Sequence, residues 1–265
     1  MDEDVLEKIP GVLACDVGNS AVHFAAVRGD RVGPAMAFRA GNLSGLGAAM
    51  AEVWAEIKPP RKIVAASVRP ASLKALEAAA AETLHEPVLV VGRDLPLPIE
   101  TDLPQPQSIG TDRLCAAAAA YDRLGAACVV ADFGTAVTID CVNDDGVFLG
   151  GAILPGIAMG AAALHERTAQ LPQVEPVAPD WVLGKDTRQA IIGGLVFGAR
   201  GALRELAEDY AVALGHWPIV VITGGDAHLI CADPNRSELV RAVVPDLAIR
   251  GVAIAYYRTL VKRTE

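Results

Sequence analysis

Basic runs are missing from this sequence: none is longer than the pairs Arg61-Lys62 and Lys262-Arg263. With a net charge of -9 and a pI near 5.1, the chain repels nucleic-acid backbones and anionic membranes. Neither is expected as a partner. Aromatic residues are scarce at 5%, while 25 glycines are present, so helices are expected to pack closely through small side chains. No Cys-x-x-Cys pair occurs, and the five cysteines lie mostly in apolar runs. They read as reduced, buried thiols of a cytoplasmic protein. The five histidines have no metal-ligand spacing, which sets a zinc site aside. A basic segment followed by an apolar core is also lacking at the acidic start Met1-Asp2-Glu3-Asp4, so no signal peptide is expected. The uncharged stretch 146–164 has the length of a membrane span, but its five glycines and Pro155 divide it. It reads as a strand, a turn and a helix start inside a globular core.

What is present is a hydrophobic content of 52% over 265 residues, enough for one large domain or two lobes. Apolar runs and turn signals predict strands over 12–16, 22–27 and 35–39. A helix over 44–57, a strand over 62–68, a helix over 71–84 and a strand over 88–91 follow. A proline-rich loop, 96–106, leads to a helix over 111–124. The pattern then restarts, with strands over 127–132, 137–142 and 147–149, a long helix over 186–214, a strand over 218–223 and a last helix over 247–260. This α/β pattern reads as a duplication, with lobes 1–124 and 125–265.

Each half carries an Asp-x-Gly turn after an apolar strand, Asp16-Val17-Gly18-Asn19-Ser20 and Asp132-Phe133-Gly134-Thr135-Ala136. Glycine lets the backbone bend and approach a ligand. Exposed N–H groups beside Asn19 or Thr135 can cradle phosphate oxygens, and the aspartate can hold a cation against them. One such turn is commonly only a tight turn; two in the same frame point to phosphoryl transfer. Other phosphate motifs fail. Pro179 stands where a Walker A loop ending at Gly184-Lys185 needs its first glycine, and Gly45-Leu46-Gly47 leads to Met50 rather than a third glycine. Thr223-Gly224-Gly225-Asp226 ends a strand and reads either as a third nucleotide contact or as a plain turn.

Ile109-Gly110-Thr111-Asp112-Arg113 opens a helix in two possible ways. Asp112 can serve as a general base and Arg113 as a bidentate anion ligand. Alternatively, Thr111 caps the helix, Asp112 favours its positive end and Arg113 is solvated.

Taken with Ala66-Ser67-Val68-Arg69-Pro70, Gly150-Gly151-Ala152-Ile153-Leu154-Pro155-Gly156, Thr168-Ala169-Gln170-Leu171-Pro172 and Gly184-Lys185-Asp186-Thr187, these motifs resemble the type III pantothenate kinase family. That family belongs to the superfamily of acetate and sugar kinases, heat-shock ATPases and actin. The resemblance implies two duplicated ribonuclease-H-like lobes, each three antiparallel strands followed by alternating helices and strands, with an ATP cleft between them. It implies that ATP with Mg2+ phosphorylates the primary hydroxyl of pantothenate to 4'-phosphopantothenate, the first step of coenzyme A biosynthesis. Carried over by position, Asp16, Val17, Gly18, Asn19, Ser20, Ala21, Val22 and His23 form the first phosphate-binding hairpin, and Thr135 contacts ATP. Asp112 becomes the proton acceptor. Gly110, Thr111, Asp112 and Arg113 line the pantothenate site, with Thr187 as a further contact. Asp132 binds a monovalent cation, K+ or NH4+, and the family forms homodimers. Two positions depart from the family pattern: Leu103 replaces a substrate-contacting tyrosine, and Ala116 replaces an asparagine. They leave open a non-catalytic regulator on the same fold, or a kinase of another small hydroxy acid.

Overall fold

The computed structural model describes residues 9–231 and 239–261. The acidic start Met1–Asp4 and the pair Lys262-Arg263 lie outside these. Contacts group residues 1–123 with 246–265, and residues 124–245 on their own.

The first unit is built on β1 (Gly11–Val17), β2 (Ala21–Arg28), β3 (Arg31–Val32), β4 (Met36–Arg39), β5 (Arg61–Ser67) and β6 (Val88–Val90). The sheet order is β3-β2-β1-β5-β6, with β4 also pairing with β2. The pair β1–β2 is antiparallel, and β1–β5 and β5–β6 are parallel. A central strand covered on both faces needs an unbroken apolar run, and Gly11 to Cys15 supplies one. Alternate side chains take opposite faces. Leu13, Cys15 and Val17 pack with Met50 and Trp54 of α1 (Leu46–Glu56) and Leu76 and Ala80 of α2 (Pro70–Thr83). Val12 and Ala14 pack with Cys115 of α3 (Thr111–Leu124) and with Ile249, Val252 and Ala253 of α7 (Leu247–Val261). Asp16 shares the parity of Val12 and Ala14. The close helix packing expected from scarce aromatics occurs where α7 crosses α3. A Cβ on Gly251 would overlap the Cys115 carbonyl and lie 2.6 Å from its Cα. The sequence reading put this last helix in the second lobe. Its apolar face instead covers the first unit's sheet, because Val252, Ala253 and Ala255 complete the cluster around Val12. Between the units' elements, the proline-rich segment holds the short strand β7 (Glu100–Thr101) and a 3-10 turn over Pro106–Ser108.

The second unit repeats the plan. Its strands β8 (Cys128–Phe133), β9 (Ala136–Val142), β10 (Val147–Pro155), β11 (Ile219–Thr223) and β12 (Val240–Val243) run in the order β12-β11-β8-β9-β10. Again the hairpin strands are antiparallel, and β8–β11 and β11–β12 are parallel. Val129, Ala131, Phe133 and Ile139 pack against α4 (Ile157–Arg167) and α5 (Thr187–Leu214), with Leu229 of α6 (Ala227–Cys231) closing the cluster. Strand β10 outruns the expected 147–149. The pair Gly150-Gly151, read as a breaker, forms an irregularity within the strand instead: the register shifts between Phe148 and Gly150, and Gly150 has φ +117. The uncharged stretch 146–164 is therefore strand and helix, and among the described residues no helix is long and apolar enough to cross a membrane.

Val17 and Phe133, at the ends of β1 and β8, are fully buried. Burial of each contributes roughly 1.5–3 kcal/mol, so both Asp-x-Gly turns start from fixed points.

Candidate active site

In the first unit, Asp16 lies opposite His23 on β2 and beside Ala66 on β5. Gly18 N–H donates to Ala21 O at 2.9 Å and closes the turn. A Cβ at Gly18 would come within 3.2 Å of that carbonyl, so a side chain there fits only tightly. The far side is held by Val68 N–H, which donates to Val17 O at 3.1 Å. Asn19 and Ser20 are exposed at the tip, while Ala21 and Val22 already belong to β2. Burial pushes the His23 imidazole below its usual range, and the Asp246 carboxylate opposes this.

The start of α3 is locked to the end of β5. Thr111 Oγ1 accepts from Ser67 N–H at 3.0 Å and donates to Ser67 O at 3.2 Å. The capping alternative therefore fails, because the Thr111 hydroxyl is bound to a strand rather than to its own helix. Arg113 is half-buried rather than solvated. Asp112 Oδ1 accepts from Arg113 N–H at 2.8 Å and folds back so closely on Gly110 that a Cβ there would overlap it. Burial pushes the Asp112 carboxyl above the ordinary carboxylate range, against the Arg113 N–H and guanidinium. The buried Cys115 thiol is pushed well up by burial, then by Asp16 and Asp112. Both carboxylates thus act on one thiol, at the same end of the same sheet.

In the second unit three chain reversals meet at Asp132. Gly134 N–H donates to Ala136 O at 3.1 Å, and Asp226 N–H to Phe133 O at 2.9 Å. Thr223 sits beside Asp132 in the parallel β11–β8 register. Gly224, with φ +94, lies so near that a Cβ would overlap Asp132 Oδ1 and Phe133 O. Gly156 N–H donates to Thr135 O at 3.2 Å just before α4, and a Cβ there would lie 2.8 Å from the Thr135 carbonyl carbon. Burial raises the Asp226 carboxyl, with His228 opposing. Of these neighbours, Thr223-Gly224-Gly225-Asp226 was legible as a strand-end turn. Gly156 was only part of a quoted motif, and its fit against Thr135 needed coordinates. Thr187 is exposed at the first position of α5. The Asp186 side chain accepts from Gln189 N–H at 2.8 Å and caps that helix. No hydrogen bond among the described residues joins the Thr187 hydroxyl to the turns at Asp132 or Thr223.

An all-oxygen set, the Asp132 carboxylate with the Phe133 carbonyl in a cradle that a Cβ would fill, fits a hard cation. A single carboxylate at Asp16 fits Mg2+, which keeps several waters and shares phosphate oxygens. Among the described residues, no group of three or more His, Cys, Asp or Glu is placed to hold a metal.

The profile of the type III pantothenate kinase family matches residues 12–209. The chain belongs to this family. Over 257 residues it is 31% identical to the type III pantothenate kinase of Dehalococcoides mccartyi (strain ATCC BAA-2266 / KCTC 15142 / 195), covering 92% of this chain and 96% of that protein. It is 41% identical over 162 residues to the type III pantothenate kinase of Akkermansia muciniphila, covering 61% and 66%. The matched span of this pantothenate kinase runs from β1 into α5, so it includes both Asp-x-Gly turns, Asp112 and Thr187. Solved structures show the same two-lobed ribonuclease-H-like fold. The activator of the 2-hydroxyisocaproyl-CoA dehydratase from Clostridium difficile superposes with TM-score 0.52 at 10% identity, over 96% of this chain and 97% of that one. A ROK family protein from Streptococcus pneumoniae gives 0.51 at 12%, over 96% and 99%.

Proposed function

We propose that this pantothenate kinase transfers the γ-phosphoryl group of ATP to the primary hydroxyl of pantothenate with Asp112 as the proton acceptor. The observation that carries this assignment is the carboxyl of Asp112: it is half-buried, aimed by Gly110 and the Arg113 N–H, and raised in pKa by desolvation. A base of raised pKa accepts the hydroxyl proton more strongly as the oxygen attacks. Gly110 and Thr111 shape the acceptor site beside it, and Arg113 supplies the cation for the pantothenate carboxylate. Thr187 is a further acceptor contact.

The hairpin from Asp16 to His23 holds the ATP phosphates, and Thr135 reaches the nucleotide. Phosphoryl transfer depends on positioning and charge neutralisation more than on covalent chemistry. Mg2+ with Asp16, and K+ or NH4+ with Asp132, supply positive charge there when bound. The buried thiols support a cytoplasmic setting, and the working form is a homodimer. The test is ATP consumption by the folded protein with pantothenate, with and without K+. Turnover that needs pantothenate and rises with K+ is expected; none in either condition refutes the assignment.

A further inference from the structure

Arg69 lies in a motif to which no role has been given. It follows β5 and precedes Pro70, the first residue of α2. Its guanidinium Nη1 donates to the carbonyl of Asn19 at the tip of the Asp16 turn. The backbone beneath it is tied on three sides: Val68 N–H to Val17 O at 3.1 Å, Ser67 N–H to Thr111 Oγ1 at 3.0 Å, and Arg69 N–H to Ser67 Oγ at 3.2 Å. Among the described residues no carboxylate pairs with Arg69, and its other guanidinium donors have no acceptor. The first turn of α2 carries no acidic residue either. In a chain of net charge -9, an arginine fixed at one nitrogen and left un-neutralised beside a glycine turn is built to meet an anion.

We propose that Arg69 clamps the nucleotide at the tip of the first hairpin. One Nη fixes the Asn19 carbonyl and with it the turn; the remaining donors take a phosphate oxygen of ATP. This rests on the reading that the Asp16 turn holds the ATP phosphates. It also makes Ser67 and Thr111 a relay of position between that turn and the start of α3, where Asp112 sits.

Arg69→Gln, Arg69→Lys and Gly18→Val, made in the full chain, test the proposal through KM for ATP, KM for pantothenate, kcat and thermal unfolding. Arg69→Gln is expected to raise KM for ATP about tenfold, the factor carried by one charge-assisted hydrogen bond, with KM for pantothenate unchanged. Arg69→Lys should fall between Gln and wild type, because an ammonium cannot bridge a carbonyl and a phosphate as a planar fork does. A raised KM for ATP in Gly18→Val with wild-type values in both Arg69 variants overturns the clamp alone. Wild-type KM for ATP in all three overturns the hairpin reading and the clamp with it. Should Arg69→Gln not fold, Arg69→Lys decides: an unchanged KM for ATP, or a loss confined to kcat, reduces Arg69 to structural support and overturns the proposal.

Discussion

Replacing Gly224 by alanine tests the cation cradle with a single added carbon. Two costs add. Gly224 has φ +94, where a residue with a Cβ is strained by roughly 1–3 kcal/mol. The new carbon would also overlap Asp132 Oδ1 and Phe133 O and sit 2.6 Å from the Phe133 carbonyl carbon. Two of these three atoms are Phe133 backbone, held by the β8–β9 pairing and by the Asp226 N–H, so the clash adds about 1–3 kcal/mol of overpacking. The sum is a loss of roughly 2–6 kcal/mol, and its lower end alone lowers the unfolding midpoint by roughly 4–8 °C. Strain of this kind relaxes most easily by turning the Asp132 carboxylate away, so stimulation by K+ should disappear as well. Gly225 is the neighbouring control. Nothing lies within 4 Å of its Cβ position, and Gly225→Ala should stay within roughly 0.5 kcal/mol of wild type. Thermal unfolding and turnover against K+ concentration are the assays. A Gly224→Ala protein with the wild-type midpoint and the wild-type K+ response would show that the cradle is not as tight as described, and the argument for a cation at Asp132 would lose its geometric basis.

Asp112→Asn should fold normally and lose turnover by a factor on the order of 100 or more; near-normal steady-state kinetics would remove Asp112 as the base. Because burial raises the Asp112 carboxyl, the acid limb of kcat/KM for pantothenate should lie above the ordinary aspartate range near ~3.9, activity falling as the pH drops through the raised value and the base is protonated. The same shift has the opposite sign for folding: ionising the partly desolvated carboxyl costs stability as the pH rises through it, so Asp112→Asn should match or exceed wild-type stability at neutral pH. Gly251→Ala should lower stability by about 1–3 kcal/mol through overlap with the α3 backbone, whereas Gly201→Ala on α5, with nothing within 4 Å of its Cβ position, should gain up to roughly 1 kcal/mol from helix propensity. Paired thermal melts of these two variants check both.

Much of the architecture could be read from where apolar runs end. The unbroken apolar runs of β1 and β8 are interrupted at the two aspartates, one residue before each strand ends, and the restart of the pattern revealed the duplication. Strand β12 was not read: its four residues alternate between half-buried and exposed, and Arg241 interrupts them. Gly150-Gly151 misled because a breaker and an irregularity within a strand look alike in sequence. Only the pairing with β9 separates them; a Cβ at Gly151 would overlap Ile139 O. At the candidate site, the repetition of the Asp-x-Gly turn singled out Asp16 and Asp132, whereas Asp112 at a helix start was open to a plain dipole role and only the family resemblance made it the proton acceptor. The fate of the Thr111 hydroxyl could not be read, because its partner Ser67 is 44 residues away. Arg69 was quoted without a role for the same reason: its acceptor, the Asn19 carbonyl, is a backbone atom that any residue would supply.

The return of α7 to the first sheet bears on how the chain is made. The continuous stretch 124–245 has its own core, while the unit holding β1 draws its cover from the distant α7. Until α7 emerges, the face of β1 bearing Val12 and Ala14 lacks the cover of Ile249, Val252 and Ala253. Contacts spanning so much of the chain form late and slow folding, and exposed apolar strand surface invites aggregation in the interval. A chain cut short before α7 would carry the Asp16 turn on a sheet whose Val12 face is left bare.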